Sequence, residues 1–242
     1  MHDPAMYPPA RHARVPWLFV DNPASHRQFT PEAHESLELA TRAVERCERQ
    51  EFAYIDKWAA VVKWHEWRQG FGVILEMADL SGMDESVLIA PFQIFNRYFF
   101  GGSIQRARLR WGLRDLRSQA GWAASCRVNH GGGDVLITLG PEHRNRIQGD
   151  VVGLSPFDSL MGDLLHEMVH AFLGRYSCVG YTCESVECLG LSEANIRRNN
   201  SHGRAWWRLA QAIEAEAQRA FGIAADLTSN EEGMDDRCPG VA

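Results

Sequence analysis

Long apolar runs are missing from this sequence of 242 residues. None approaches the length of about 18 residues that a membrane-spanning helix needs. The best candidate for the hydrophobic part of a signal peptide, residues 15–20, is short and is interrupted by Pro16. These absences predict a protein without membrane partners, located inside the cell in the nucleus or the cytoplasm.

An excess of positive charge is also missing, because 25 basic residues stand against 31 acidic ones and give a formal net charge of -6. This balance argues against a surface built entirely for nucleic acid. Lys57 and Lys63 are the only lysines, so contacts with phosphate or carboxylate would come mainly from the bidentate guanidinium of arginine. Residues 100–219 form the only net-positive part, which leaves room for a local basic face.

Cysteine pairs with the two-residue spacing of a zinc knuckle are absent, although the chain contains six cysteines. An intracellular location disfavours a disulfide framework. Cys178, Cys183 and Cys188 follow one another at intervals of five residues. Three interpretations of this group remain open: ligands of a secondary, structural metal with a fourth ligand from elsewhere, one disulfide, or buried free thiols.

Composition divides the chain into three parts. Residues 1–30 contain five of the ten prolines and little apolar periodicity, which predicts an extended or disordered arm. Residues 31–225 have the composition of one globular domain. Residues 226–242 are acidic and poor in apolar side chains, which predicts a flexible tail.

Periodicity within the domain predicts an α+β fold. Helical spacing covers about 31–50, 52–69, 86–100, 155–174 and 201–221, with Pro31 at the first helical position and glycines ending the third and fourth segments. Short strand-like segments cover about 106–111, 121–128 and 134–139. We expect a helical N-terminal layer, whose Trp64 and Trp67 pack in the core, and a small three-stranded sheet. An active-site helix and a facing helix complete the fold.

The fourth helix has clear boundary signals and carries a chemical motif. Ser155 is a typical N-cap followed by Pro156, and Gly174 is a plausible end. Between them, residues 166–170 read His-Glu-Met-Val-His and match HExxH. Histidines four residues apart lie one turn from each other, so both imidazoles can bind one zinc ion. Glu167 then lies beside the ion, where it can serve as the general base.

A catalytic zinc needs three protein ligands and an open position for water, so a third ligand must follow His166 and His170. His202 precedes the last predicted helix and is the favoured candidate. Glu193 is the alternative and would give a site with two histidines and one carboxylate, with Glu184 and Glu187 as weaker candidates.

Several segments together resemble the SprT-like zinc metalloprotease domain, over about residues 85–215. The segments are Phe-Asn-Arg-Tyr-Phe-Phe-Gly-Gly at 95–102, the basic strand ending at Trp111, Gly121, the strand at 134–139, His-Glu-Met-Val-His-Ala at 166–171, and His-Gly-Arg-Ala-Trp at 202–206. The resemblance implies a zincin-like fold, a zinc ion held by His166, His170 and His202, and Glu167 as general base. It also implies peptide-bond hydrolysis, and the Spartan-type members of this family cleave proteins crosslinked to DNA.

The DNA-related part of this resemblance is less complete. The paired cysteines of the family's C-terminal zinc ribbon are missing, because only Cys238 follows the last predicted helix. Two alternatives therefore stay open: a general intracellular peptidase without DNA dependence, and a non-catalytic, zinc-stabilised module that binds DNA or chromatin. For the stabiliser of the oxyanion, Arg204, Tyr176 and Tyr181 are candidates only.

The first predicted strand suggests where single-stranded DNA would bind. Arg106, Arg108 and Arg110 alternate with apolar residues, so one face of the strand would be basic and the other apolar. Alternate residues in a strand lie about 6.6 Å apart, which is close to the phosphate repeat of a stretched single strand. A solvated sheet face is the simpler interpretation of the same pattern.

Overall fold

The computed structural model describes residues 34–48, 55–75, 83–112, 124–129, 134–140, 154–178, 190–191, 195–196 and 202–227. The predicted arm at 1–30 and the tail beyond Leu227 lie outside these residues. The first residues of the tail region are well packed, since Leu227 is buried and its N–H donates to Glu214 Oε2.

The described residues form five α-helices and three strands, which confirms the predicted α+β class and the small sheet. In chain order they are α1 (Ser36–Glu48), α2 (Ile55–Leu75), α3 (Ile89–Phe100), β1 (Ala107–Trp111), β2 (Ala124–Val128), β3 (Val135–Leu139), α4 (Pro156–Tyr176) and α5 (Arg204–Phe221). No helix in the described part of the chain is long and apolar enough to cross a membrane.

Several helix boundaries differ from the prediction, since α2 ends at Leu75 instead of about 69 and α5 begins at Arg204 instead of about 201. Helix α1 begins at Ser36, because the Glu35 carboxylate accepts hydrogen bonds from the N–H groups of Leu37 and Glu38 at 2.9 and 2.8 Å and so caps the helix. Helix α4 continues through Gly174, so the predicted end at that glycine is wrong. A Cβ at position 174 would lie 3.1 Å from Val128 Cγ2, so the glycine permits close packing of α4 on β2.

Other boundary signals are confirmed. The Ser155 side chain accepts a hydrogen bond from the Asp158 N–H at 3.0 Å and caps α4. A 3-10 turn at Glu85–Leu88 leads into α3. Gly101 then ends α3 in the left-handed conformation that glycine favours, with φ 63°.

The sheet is mixed, with strand order β1-β3-β2. Strand β3 lies in the centre and pairs in parallel with β1 and antiparallel with β2. The first strand begins at Ala107, one residue later than predicted, because Arg106 has a positive φ of 54°. One sheet face, which includes Val135, Ile137 and Leu139, packs into the core.

Helix α4 lies between this apolar sheet face and the other helices. Its neighbour α5 buries Trp206, Leu209, Ala210 and Ile213, the predicted apolar stripe. Trp64 of α2 is fully buried, and its ring centroid lies within 5.8 Å of those of Phe95, Phe157 and Phe221. The prediction that this tryptophan belongs to the core is therefore confirmed.

A charged network around the buried Glu216 carboxylate joins the C-terminal half of α5 to the N-terminal helices. Arg219 donates to both carboxylate oxygens of Glu216 at 2.6 and 2.7 Å, and Tyr98 donates its hydroxyl hydrogen to the same carboxylate. Lys57 Nζ lies 3.9 Å from Glu216 Oε1 and donates to the Cys47 carbonyl at 3.1 Å. Burial lowers the pKa of Lys57 and, together with the Glu216 carboxylate, raises the pKa of Tyr98.

Replacing Glu216 should destabilise the protein strongly. Glu216→Ala leaves the buried Lys57 ammonium without its carboxylate, and a broken buried ion pair typically costs about 3–5 kcal/mol. Glu48→Gln, at an exposed position on α1, is the control and should change stability by less than about 0.5 kcal/mol. Urea unfolding followed by circular dichroism measures both. Equal unfolding midpoints for Glu216→Ala and the wild type would contradict this role of the network.

Candidate metal centre

Two histidines project from one side of α4. His166 and His170 are four residues apart, which places their imidazoles one turn from each other. Their Nε2 atoms lie 3.2 Å apart. The helix passes through both positions without a break, so this pair follows directly from the local sequence.

The third imidazole belongs to His202, which directly precedes Gly203, the N-cap of α5. His202 Nε2 lies 2.9 Å from the Nε2 atom of His170 and 3.1 Å from that of His166. In the described part of the chain, these three residues are the one group of three or more side chains that could hold a metal ion. The structure thus brings together the three histidines predicted from the sequence.

The spacing of the three nitrogen atoms fits a zinc ion. Around a tetrahedral zinc with Zn–N bonds of about 2.0–2.1 Å, ligand nitrogens lie about 3.3–3.4 Å apart. The observed separations of 2.9, 3.1 and 3.2 Å are close to this value. Each Nε2 atom either carries a proton or presents a lone pair. At least two of the three atoms are therefore in the same protonation state, and two such neighbouring atoms repel each other. A cation bound by all three removes that repulsion.

Burial keeps two of the three imidazoles, those of His170 and His202, in the form that binds metal. It lowers the pKa of His170 to about 3, with a smaller contribution from His202. It also lowers the pKa of His202 to about 4. Both rings are therefore neutral near pH 7, and protons do not compete for their lone pairs.

Glu167 is buried beside the three histidines and is close to the sheet. Residue 167 follows His166 on the helix, and its charge acts on Cys126 in the middle of β2. Burial, with the Glu167 carboxylate as a further cause, raises the pKa of the Cys126 thiol, so this thiol stays protonated. The carboxylate therefore lies near strand β2, on the helix that carries His166 and His170.

A backbone contact that the sequence did not predict positions His202. The chain at Asn195 and Ile196 passes so close to Gly203 that a Cβ there would lie 2.3 Å from the Asn195 carbonyl carbon and 2.6 Å from the Ile196 nitrogen. The Gly203 N–H donates to the Ile196 carbonyl at 3.3 Å. Asn195 is itself held by Glu35, since its Nδ2 donates to Glu35 Oε1 at 3.0 Å.

The start of α1 is in turn joined to the end of α4. The His34 N–H donates to the Tyr176 carbonyl at 3.1 Å, and the Cys178 N–H donates to the His34 carbonyl at 2.9 Å. The Glu35 carboxylate that holds Asn195 is therefore fixed relative to the helix that carries the other two histidines. The only sequence signal for this arrangement was the glycine after His202.

The other candidate site residues do not belong to the group of three histidines. Tyr176 is buried and donates its hydroxyl hydrogen to the Ser103 carbonyl, and Arg204 is exposed in the first turn of α5. Cys178 is buried and forms no disulfide with another described cysteine. The remaining residues lie outside the described part of the chain: Tyr181, Cys183, Cys188, Glu184, Glu187 and Glu193.

The outer face of the sheet is basic in part. Arg108 and Arg110 are exposed and alternate with half-buried apolar residues, as predicted for β1. Arg106 precedes the strand, so the regular spacing does not include it. The register of β2 places another exposed arginine, Arg127, on the same face of the sheet. Arg127 and Arg108 both pair with Leu136 of β3, so they lie on opposite sides of it.

In comparisons with known proteins, no protein-family model matches this chain, and no curated protein matches it. The fold and the site define an α+β protein with three convergent imidazoles beside a buried glutamate. The geometry of this site and the motifs in the sequence are what indicate a function.

Gly203→Ala should weaken metal binding, because the added Cβ pushes residues 195–196 and the backbone next to His202 apart. We expect a loss of zinc affinity of about 10-fold or more, as for other changes to groups that orient metal ligands. Competition with a chromophoric chelator measures the affinity, and near-ultraviolet circular dichroism reports whether the variant is folded.

Gly70→Ala is the matched control for this substitution. Gly70 lies in α2, where a Cβ added to the glycine would meet nothing within 4 Å, so alanine fits there and should stabilise the helix by up to about 1 kcal/mol. Its zinc affinity should equal that of the wild type. A folded Gly203→Ala protein with wild-type zinc affinity would show that the close backbone contact does not position His202.

Proposed function

We propose that this protein is a zinc-dependent hydrolase that cleaves peptide bonds, with His166, His170 and His202 as the metal ligands. The observation that carries the proposal is the set of three Nε2 atoms within 3.2 Å of one another, next to a buried glutamate. The resemblance of the motifs to the SprT-like metalloprotease domain supports the choice of a peptide substrate.

The donor set favours a catalytic site over a structural one. Structural zinc sites usually have four protein ligands, whereas catalytic sites have three and leave a position open. Within the described residues the cluster has three ligands. A purely structural site would also have no use for the Glu167 carboxylate beside it, which disfavours the alternative of a non-catalytic zinc-stabilised module.

Glu167 would do the proton transfer. A bound zinc ion supplies Lewis acidity at the three histidines. Glu167 would accept a proton from the attacking water and pass it to the leaving amine.

Glu167→Gln should separate metal binding from hydrolysis. Glutamine keeps the shape of the side chain but cannot accept the proton, so activity should fall by at least about 100-fold while zinc content stays near one ion per chain. His202→Ala should instead lose the zinc. Elemental analysis and cleavage of casein or histones measure the two properties.

His65→Ala is the control, since His65 is exposed on α2. It should keep both zinc and activity. Full turnover in Glu167→Gln would remove Glu167 from the reaction. Full zinc content and activity in His202→Ala would point to another third ligand, with Glu193 as the candidate to test.

A second proposal concerns single-stranded DNA, or chromatin, as a partner that activates cleavage. The observation that favours it is the basic outer face of the sheet. Arg108 and Arg127 flank Leu136 and would be about 9.5 Å apart across two strand spacings. Neither has a hydrogen-bond or ion-pair partner among the described residues, whereas Arg110 Nε donates to Thr138 Oγ1 at 3.0 Å.

The double variant Arg108→Gln and Arg127→Gln should reduce both DNA binding and activation by DNA. Binding should fall steeply with salt, because phosphate contacts release counterions. Lys63→Gln with Arg97→Gln removes two exposed charges from α2 and α3 and is the charge-matched control. Fluorescence anisotropy and casein cleavage with and without DNA measure the effects. If DNA leaves wild-type activity unchanged, a general peptidase is the better interpretation.

A further inference from the structure

One aromatic side chain contacts all three imidazoles of the candidate metal centre. The ring centroid of Trp206 lies 4.7 Å from that of His166, 5.5 Å from that of His170 and 4.2 Å from that of His202. Its plane is nearly parallel to that of His170, at 29°. Trp206 is 1% exposed, so the indole closes one side of the cluster against the core.

The position of Trp206 in the sequence explains these contacts. Trp206 follows His202 by four residues and lies in the first turns of α5, while the other two histidines lie on α4. The indole is therefore one point at which the helix next to the third histidine packs against the helix that carries the first two. A shift of α5 relative to α4 would change the indole contacts and the histidine spacing together.

Ring contacts rather than a polar bond hold the indole there. Trp206 Nε1 is buried and has no hydrogen-bond partner among the described residues. A buried indole N–H usually has such a partner, and phenylalanine or leucine would avoid the cost of leaving it without one. The size and flat shape of the indole ring are therefore the properties that this position requires.

Imidazole ligands bind a metal only when their rings point the correct nitrogen at it. In many sites a hydrogen bond to the other ring nitrogen fixes this orientation, and its loss costs about 10–100-fold in metal affinity. A rigid indole in contact with three rings restricts by sterics the rotations that would turn a ring toward it. A smaller side chain would leave space into which the imidazoles can turn.

We propose that Trp206 is a positioning residue that fixes the three imidazoles for metal binding. This inference depends on the proposal that the histidines form a metal centre, but not on the reaction that the centre performs. Trp206 would act through the histidine ligands that it contacts and is not a catalytic residue.

The neighbouring Trp207 supplies a matched control. It is also buried on α5, and its ring meets that of Trp206 at 5.8 Å in an edge-to-face arrangement. Among the ring contacts of the described residues, Trp207 has none with the three imidazoles. Truncation at 206 and at 207 therefore removes similar core volume, but only the first removes contacts with the ligands.

The experiment compares Trp206→Phe, Trp206→Leu and Trp207→Leu in the full chain. For each, thermal unfolding of the metal-free protein gives the effect on the core, and chelator competition gives the zinc affinity. Visible absorption of the cobalt-loaded protein reports the coordination geometry. We expect Trp206→Leu to lose about 10–100-fold in zinc affinity and to show a changed cobalt spectrum. We expect Trp206→Phe, which keeps a flat ring, to recover part of both, and Trp207→Leu to keep both near wild type.

Two results would overturn the positioning role. One is an unchanged cobalt spectrum and zinc affinity in Trp206→Leu. The other is equal losses of affinity in Trp206→Leu and Trp207→Leu, because the effect would then reflect the stability of the core alone. A wild type that binds no metal overturns this inference and the metal centre together. A wild type that binds zinc but cleaves no protein overturns the proposed hydrolase only, and the metal readouts still decide the role of Trp206.

Discussion

The candidate site depends on the convergence of three ring nitrogens, two from α4 and one from the residue just before the N-cap of α5. His202 lies within 3.1 Å of both histidines of α4, although 32 residues separate it from His170. Helix α5 must therefore be fixed at both ends. At its start, the Asn195 backbone packs against Gly203, and at its far end Glu216 joins the network with Lys57. Gly203 and Glu216 are about 20 Å apart along the helix, so the two contacts together set its angle against α4.

The parts of the site that follow from local geometry were predictable from the sequence. His166 and His170 share one helix face because of the four-residue spacing, and the Ser155 cap sets where that helix starts. His202 could be predicted only from its motif, since no local rule brings it to α4. The contact of Asn195 with Glu35 was not predictable, because it requires two remote segments to meet. The prediction that α4 ends at Gly174 was wrong for the same reason, because this glycine allows close packing against β2, which is remote in sequence.

The sheet, too, could be predicted from the sequence only in part. The alternation of Arg108 and Arg110 with apolar residues was visible in β1, and the exposure of both arginines confirms it. The strand order was not visible, because parallel pairing of β1 with β3 depends on long connections. Arg127 joins the basic face only through the register of β2. Arg106 does not follow the alternation, since its positive φ makes the strand begin one residue after it.

Burial of the candidate centre links metal binding to folding. It lowers the pKa of His170 to about 3 and that of His202 to about 4, so the folded protein holds neutral rings at neutral pH. At least one pair of these neighbouring nitrogens has the same protonation and repels, and a cation bound by all three would remove that repulsion. The free energy of binding then adds to the stability of the packing between α4 and α5, because the unfolded chain has no such site.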